Sequence, residues 1–100
     1  MAKMVVSFSV VPIGTGSPSV SKYVQKATQV IREMGLKYQT GAGFTDVEVD
    51  SYQQLADLLQ RVEKALVEMG AQRLLFTVKI DRRLDKELRI EEKIRKAEGF

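Results

Sequence analysis

The stretch over residues 1–12, MAKMVVSFSVVP, constrains the fold more than any other. From Met4 onward it is apolar except for Ser7 and Ser9, which share the parity opposite to Met4, Val6, Phe8 and Val10. Successive side chains of a strand point to opposite faces, so residues 4–12 read as a strand with one greasy face and one small, partly polar face. Charge or proline inside a strand protects an exposed edge; here there is none, and the one proline stands at the exit. The expectation is a central strand on which the rest of the chain is laid.

Residues 13–19, IGTGSPS, form a turn whose glycines permit positive φ, with Ser17 suited to cap a helix and Pro18 to its first position. Val20, Tyr23, Val24, Ala27, Val30, Ile31 and Met34 then recur at helical spacing and predict a helix over residues 20–34, closed by Gly35. Residues 36–40 and 45–50 read as two strands around a glycine-bearing hairpin loop, with Thr45, Val47 and Val49 on one face and Asp46, Glu48 and Asp50 on the other. Asp50 or Ser51 is placed to cap a second helix, whose stripe runs Leu55, Leu58, Leu59, Val62, Leu66 and Met69 and ends at Gly70. Residues 73–81 alternate as a last strand, with Leu74, Phe76, Val78 and Ile80 on one parity. Ile90, Ile94 and Ala97 mark a short helix over residues 90–98, with Glu91–Arg95 and Glu92–Lys96 as i,i+4 pairs.

The order βαββαβ in so short a chain predicts the ferredoxin-like α+β fold: one four-stranded antiparallel sheet, two helices on one of its faces, and an added C-terminal helix. One hundred residues with 44% hydrophobic content make a single domain over residues 1–100 with its own core. In this layout residues 4–12 lie between the strands at 45–50 and 73–81.

Several function classes drop out on chemistry. Cysteine and histidine are both absent, which removes disulfides, thiolate catalysis and the commonest general base and metal ligand. The net charge of +3 comes from 16 basic and 13 acidic residues that are interspersed, a weak footprint for nucleic acid. RNA recognition on such a sheet needs aromatics on its open face, whereas Phe8 and Phe76 have the inward parity. No apolar run approaches the roughly 20 residues of a membrane span, and the N-terminus lacks the pattern of a signal peptide, so a cytoplasmic protein without a membrane partner is expected. The glycines of GTG at 14–16 invite a dinucleotide reading, but the third glycine would fall on Ser19. A turn before a helix accounts for them.

Two helices leave the other sheet face bare, and parity assigns to it Val5, Ser7, Ser9, Val11, Glu48, Leu75, Thr77 and Lys79. This mixture is too apolar for a fully solvated face and too polar for a dry core. The first reading is a subunit interface, sheet against sheet; the sharper alternative is a ligand pocket at the edge of that interface. Asp46 and Asp50 read as solvated strand ends, while Glu48 nearer the sheet's middle needs a partner, with Lys79 or Ser7 within reach across the sheet. No metal site and no nucleophile–base pair is visible, and none is proposed.

The segments VVPIGTGSPSVSKYV at 10–24 and GLKY at 35–38, Thr45 and Glu48, the Gly70 and Arg73 spacing, KIDRR at 79–83 and EEK at 91–93 together resemble the YkoF-like family of small thiamine-binding proteins. The resemblance spans nearly the whole chain, with PIGTGSPSVS its most specific part. It implies a ferredoxin-like subunit that assembles into homodimers and homotetramers and binds thiamine or its pyrimidine part without catalysis or cofactor. One departure stands out: Phe44 occupies a position where members often have glycine, so its ring would fill or reshape the pocket. For a ligand with a cationic thiazolium, an aminopyrimidine and a hydroxyethyl tail, the complementary groups are the Glu48 carboxylate, with Lys79 beside it, the hydroxyls of Ser7, Ser9 and Thr45, and the rings of Tyr38 and Phe44. The rival readings are an assembly module, or a regulatory domain holding another small metabolite at a subunit boundary.

Overall fold

In the computed structural model residues 4–99 are described; the first three residues of the N-terminal stretch and residue 100 lie outside the described residues. The elements are β1 (Met4–Pro12), α1 (Ser21–Glu33), β2 (Tyr38–Thr40), β3 (Thr45–Val49), α2 (Tyr52–Glu68), β4 (Leu74–Arg82) and α3 (Ile90–Ala97). They form the expected α+β ferredoxin-like fold, with sheet order β2-β3-β1-β4 and every neighbouring pair antiparallel. β1 is central, as its uncharged sequence requires.

The main core lies between the sheet and the two long helices. Met4, Val6, Phe8 and Val10 of β1 meet Val47 and Val49 of β3, and over them close Ile31 of α1 and Leu58, Val62 and Leu66 of α2. Ser51 caps α2 by accepting from the Gln54 N–H at 3.1 Å, and the Gln54 side chain reaches back to the Asp50 N–H at 2.8 Å. Gly35 and Gly70, at φ +70° and +98°, take the left-handed turns that end α1 and α2.

Three expectations are corrected. Ser17 does not cap α1: its hydroxyl accepts from the Ser19 N–H at 3.2 Å inside its own turn, residues 18–20 stay outside the helix, and α1 begins at Ser21 after Val20. Pro18 therefore lies in the turn rather than in the first helical position. On β4, Val78 and Ile80 have the inward parity yet stay 36% and 42% exposed, because β4 is an edge strand that the helices do not fully cover. Third, the second sheet face is not bare throughout. Val5 is only 3% exposed and forms a small second core with Leu88 and Ile90, where the C-terminal segment folds back across the sheet.

That segment is fixed by polar contacts on both sides of Val5. Glu48 and Asp81 are the cross-strand partners of Val5 in β3 and β4. The Glu48 carboxylate accepts from the Ile90 N–H at 3.0 Å, and Lys93 donates to Asp81. Lys37 adds a 2.6 Å bond to Glu91. α3 thus covers one end of the face, and Val11, Leu75 and Thr77 at the other end stay exposed.

Candidate functional site

The sheet has a notch. β3 pairs with β1 only as far as Phe8 opposite Thr45, while β4 continues along β1 to Pro12. Residues 9–12 therefore have a strand neighbour on one side only, and alternate residues there turn their N–H and C=O towards the notch. The β2–β3 turn closes its far side. Gly41 donates to the Phe44 carbonyl at 2.9 Å, and a Cβ at Gly41 would meet that oxygen at 2.6 Å, so this tight turn requires glycine. Val24, Ala27, Thr28 and Ile31 of α1 roof the space, leaving a cavity of about 90 Å³.

The cavity walls combine apolar groups with a few polar ones. Thr28 and Thr45 bring hydroxyls to this side of the sheet, Ser9 borders the cavity although its side chain has the open-face parity, and the ring of Phe44 lies at its mouth, 43% exposed. Thr28 already donates to the Val24 carbonyl at 3.0 Å, leaving its oxygen lone pairs for a further donor. A void of roughly 150 Å³ encloses a benzene ring. A planar heterocycle can therefore enter this smaller one only edge-first, with the rest of the ligand outside the subunit.

Of the seven residues singled out from sequence, the structure gathers Ser9, Phe44 and Thr45 at this cavity. Phe44 lines it rather than plugging it. The remaining four are elsewhere. Ser7 donates at 2.5 Å to Asp46, its cross-strand neighbour, and not to Glu48. Glu48 sits one pair further along, its side chain 9% exposed, bound to the α3 backbone and 4.0 Å from Lys37 Nζ. Lys79, opposite Ser7 on β4, is exposed on the same face as both. Tyr38 packs against the main core from the edge strand β2, and its hydroxyl accepts from Arg32 at 2.7 Å. The cavity owes as much to residues that sequence reasoning passed over: Thr28 on the α1 surface and Gly41 in the turn. Thr28 sits one position beyond Ala27 in the helical stripe, a signal easily read as solvated surface.

The electrostatics belong to the other face. The hydrogen bond from Lys37 holds the Glu91 carboxyl below its ordinary value, and the same contact raises Lys37. The Arg83 hydrogen bond likewise lowers Asp85. The lining of the cavity itself contains no charged side chain. Among the described residues no group of three or more acidic side chains is arranged to hold a metal ion, and no helix is long and apolar enough to cross a membrane.

Residues 6–98 match the thiamine-binding protein family over nearly the entire chain. The chain belongs to that family. Its relatives include the UPF0045 protein MJ1052 of Methanocaldococcus jannaschii, 39% identical over 97 residues that cover 95% of this chain and 92% of that one. Another is the UPF0045 protein YqgV of Bacillus subtilis, 33% identical, covering 86% of each chain. The crystal structure of the M. jannaschii protein superposes with a TM-score of 0.86 over the full length of both chains, at 33% identity in that alignment. A Thermotoga maritima protein described provisionally as a thiamine biosynthesis or salvage protein gives a TM-score of 0.79 at 27% identity, covering 95% of this chain and 98% of its own. The thiamine-binding protein family is one of binding proteins rather than enzymes, and the ferredoxin-like frame here is the frame those structures share.

Proposed function

We propose that the protein binds thiamine or a thiamine-related pyrimidine without transforming it, and that the aminopyrimidine edge enters the notch between β1, α1 and the β2–β3 turn. The observation that carries the reading is the notch itself: a strand that outruns its neighbour offers backbone hydrogen-bonding groups beside the Thr45 hydroxyl and the Phe44 ring. An aminopyrimidine presents an amino donor next to ring-nitrogen acceptors, which is the pattern such a strand edge satisfies. Phe44 at the mouth offers its π face to the cationic thiazolium left outside. Membership of the thiamine-binding protein family supports the choice of ligand class.

A cavity of about 90 Å³ leaves most of a thiamine molecule uncovered, whereas small-ligand sites usually bury most of their ligand. A separate feature, the β4 edge, favours a homo-oligomer. β4 is a nine-residue edge strand, free of proline, with Leu75 56% exposed and Val78 and Ile80 partly exposed on its other face. Left alone, such an edge is a template for unwanted pairing. Association of like subunits through β4 and the open end of the sheet removes that hazard.

Isothermal titration with thiamine, its separate hydroxymethylpyrimidine and thiazole halves, and its phosphates tests the reading. The pyrimidine half is expected to bind and the thiazole half alone to bind far more weakly. Absence of binding by thiamine and by the pyrimidine half, in correctly folded protein, overturns it.

A further inference from the structure

On the opposite side of the sheet from the notch, α3, the turn over residues 83–89 and the sheet surround a larger cavity of about 490 Å³. Its apolar wall is Leu88, Ile94 and Ala97. Five cationic side chains line it against three acidic ones, and most of these are already engaged. Lys93 pairs with Asp81, Asp46 accepts from Ser7, Arg83 pairs with Asp85, and Arg89 lies 3.9 Å from Glu87.

Lys86, Lys96 and the single carboxylate Glu92 remain. Both lysine side chains line this one cavity, and the neighbouring Lys86 ammonium, by hydrogen bonding and by like charge, holds Lys96 below the ordinary lysine value; Glu92 opposes the shift and Arg83 adds to it. Two ammonium groups lining one cavity with a third cation, Arg83, form an arrangement whose repulsion a bridging anion would relieve. A phosphate monoester has the charge and the oxygens to accept from both lysines at once. An apolar wall beside it suits an uncharged organic body, which inorganic phosphate lacks.

We propose that this cavity is a second binding site, for a phosphorylated small molecule whose phosphate bridges Lys86 and Lys96 and whose uncharged part lies against Leu88, Ile94 and Ala97. It is separate from the notch and does not depend on thiamine being the ligand there.

Calorimetry with phenyl phosphate, inorganic phosphate and phenol tests the assignment on the full-length protein. Phenyl phosphate is expected to bind saturably and more tightly than either of the other two. The K86Q/K96Q double variant should weaken it by about tenfold or more. Because the substitutions remove the repulsion, the unliganded variant should melt no lower than the parent. Binding should also take up protons over the pH range in which Lys96 titrates, as the anion raises it back towards its ordinary value, and this is read from the dependence of the heat on buffer ionisation. Unchanged affinity in the folded double variant, or no saturable binding of phenyl phosphate at millimolar concentration, overturns the site. Phenol binding as tightly as phenyl phosphate overturns the role of the phosphate, and inorganic phosphate binding equally well overturns the role of the apolar wall.

Discussion

The Glu48 carboxylate, in the middle of β3, accepts a 3.0 Å hydrogen bond from the backbone N–H of Ile90, the first residue of α3. A helix begins with N–H groups that have no partner within the helix, and an acidic group at that end also meets the favourable pole of the helix dipole. Arg89, the residue before α3, gives no side-chain cap. The cap comes instead from across the fold, and with it Ile90 is delivered onto Val5. Glu48 is thus committed to holding the C-terminal helix on the sheet.

Changing Glu48 to alanine should therefore destabilise the protein by about 1–3 kcal/mol, the range for losing a buried charge-assisted hydrogen bond. Glu48→Gln should cost less, because the amide oxygen can still accept. Urea unfolding of both variants measures the difference. Binding of the pyrimidine half should survive in both, since the notch lies on the other face. Weakened binding with unchanged stability would return Glu48 to the ligand site.

The acid limb of stability should contain a contribution from the Lys37–Glu91 contact beside it. The Lys37 hydrogen bond lowers Glu91 from its ordinary value of 4.5. A carboxyl depressed in the folded state contributes stability that is fully present above its unfolded value and is lost as pH falls through the lower folded value. Asp85, lowered by Arg83 from 3.8, behaves in the same sense. Glu91→Gln should flatten the fall of the urea midpoint below about pH 4.5. The effect should be modest and shrink with salt, because both partners are exposed. A variant with an acid limb as steep as the parent's would show that the contact is not populated in solution.

The β2–β3 turn gives a sharper test of the notch. A methyl group at Gly41 would strike the Phe44 carbonyl, a backbone atom that cannot swing aside. Gly41→Ala should displace the turn, with a cost of about 1–3 kcal/mol for the overpacking. Pyrimidine affinity should fall with it. Thermal melting and titration on the same samples check both parts. Normal affinity in this variant would remove the turn from the site.

Leu75→Lys should dissociate the oligomer. The substitution places a charge without a partner at the exposed end of the sheet, where Leu75 and Val11 stand side by side on β4 and β1. Light scattering is expected to show a species larger than 11.3 kDa for the parent and a shift towards that mass for the variant. A parent that is monomeric at micromolar concentration contradicts the proposed assembly.

The fold was legible because each element carried its own pattern. Alternation in residues 4–12 predicted β1, the Leu55–Leu66 stripe and Ser51 predicted α2 with its cap, and the element order then left few topologies. What failed depended on distance in space. Parity placed Val5 on a bare face, and nothing local to Val5 reveals that Leu88 and Ile90 return to cover it. Val78 and Ile80 alternate as core residues, yet an edge strand extends past the helices that would bury them. The candidate site was half legible for a similar reason. Thr45 and Phe44 could be named from sequence, but the notch exists because β3 pairs with β1 only as far as Phe8 while β4 pairs on to Pro12, and the register between two strands is not written in the pattern of either one alone.

The most direct test of the central claim is a map of amide chemical-shift changes in the ¹⁵N-labelled protein as hydroxymethylpyrimidine is added. The account predicts saturable changes at Phe8 to Val10, at residues 41–45 and along the Ala27–Ile31 side of α1, with Phe44→Ala and Thr45→Ala each weakening the response about five- to tenfold. Changes centred instead on Ser7, Glu48 and Lys79, with the notch residues unmoved, would contradict it and place the ligand on the opposite face of the sheet.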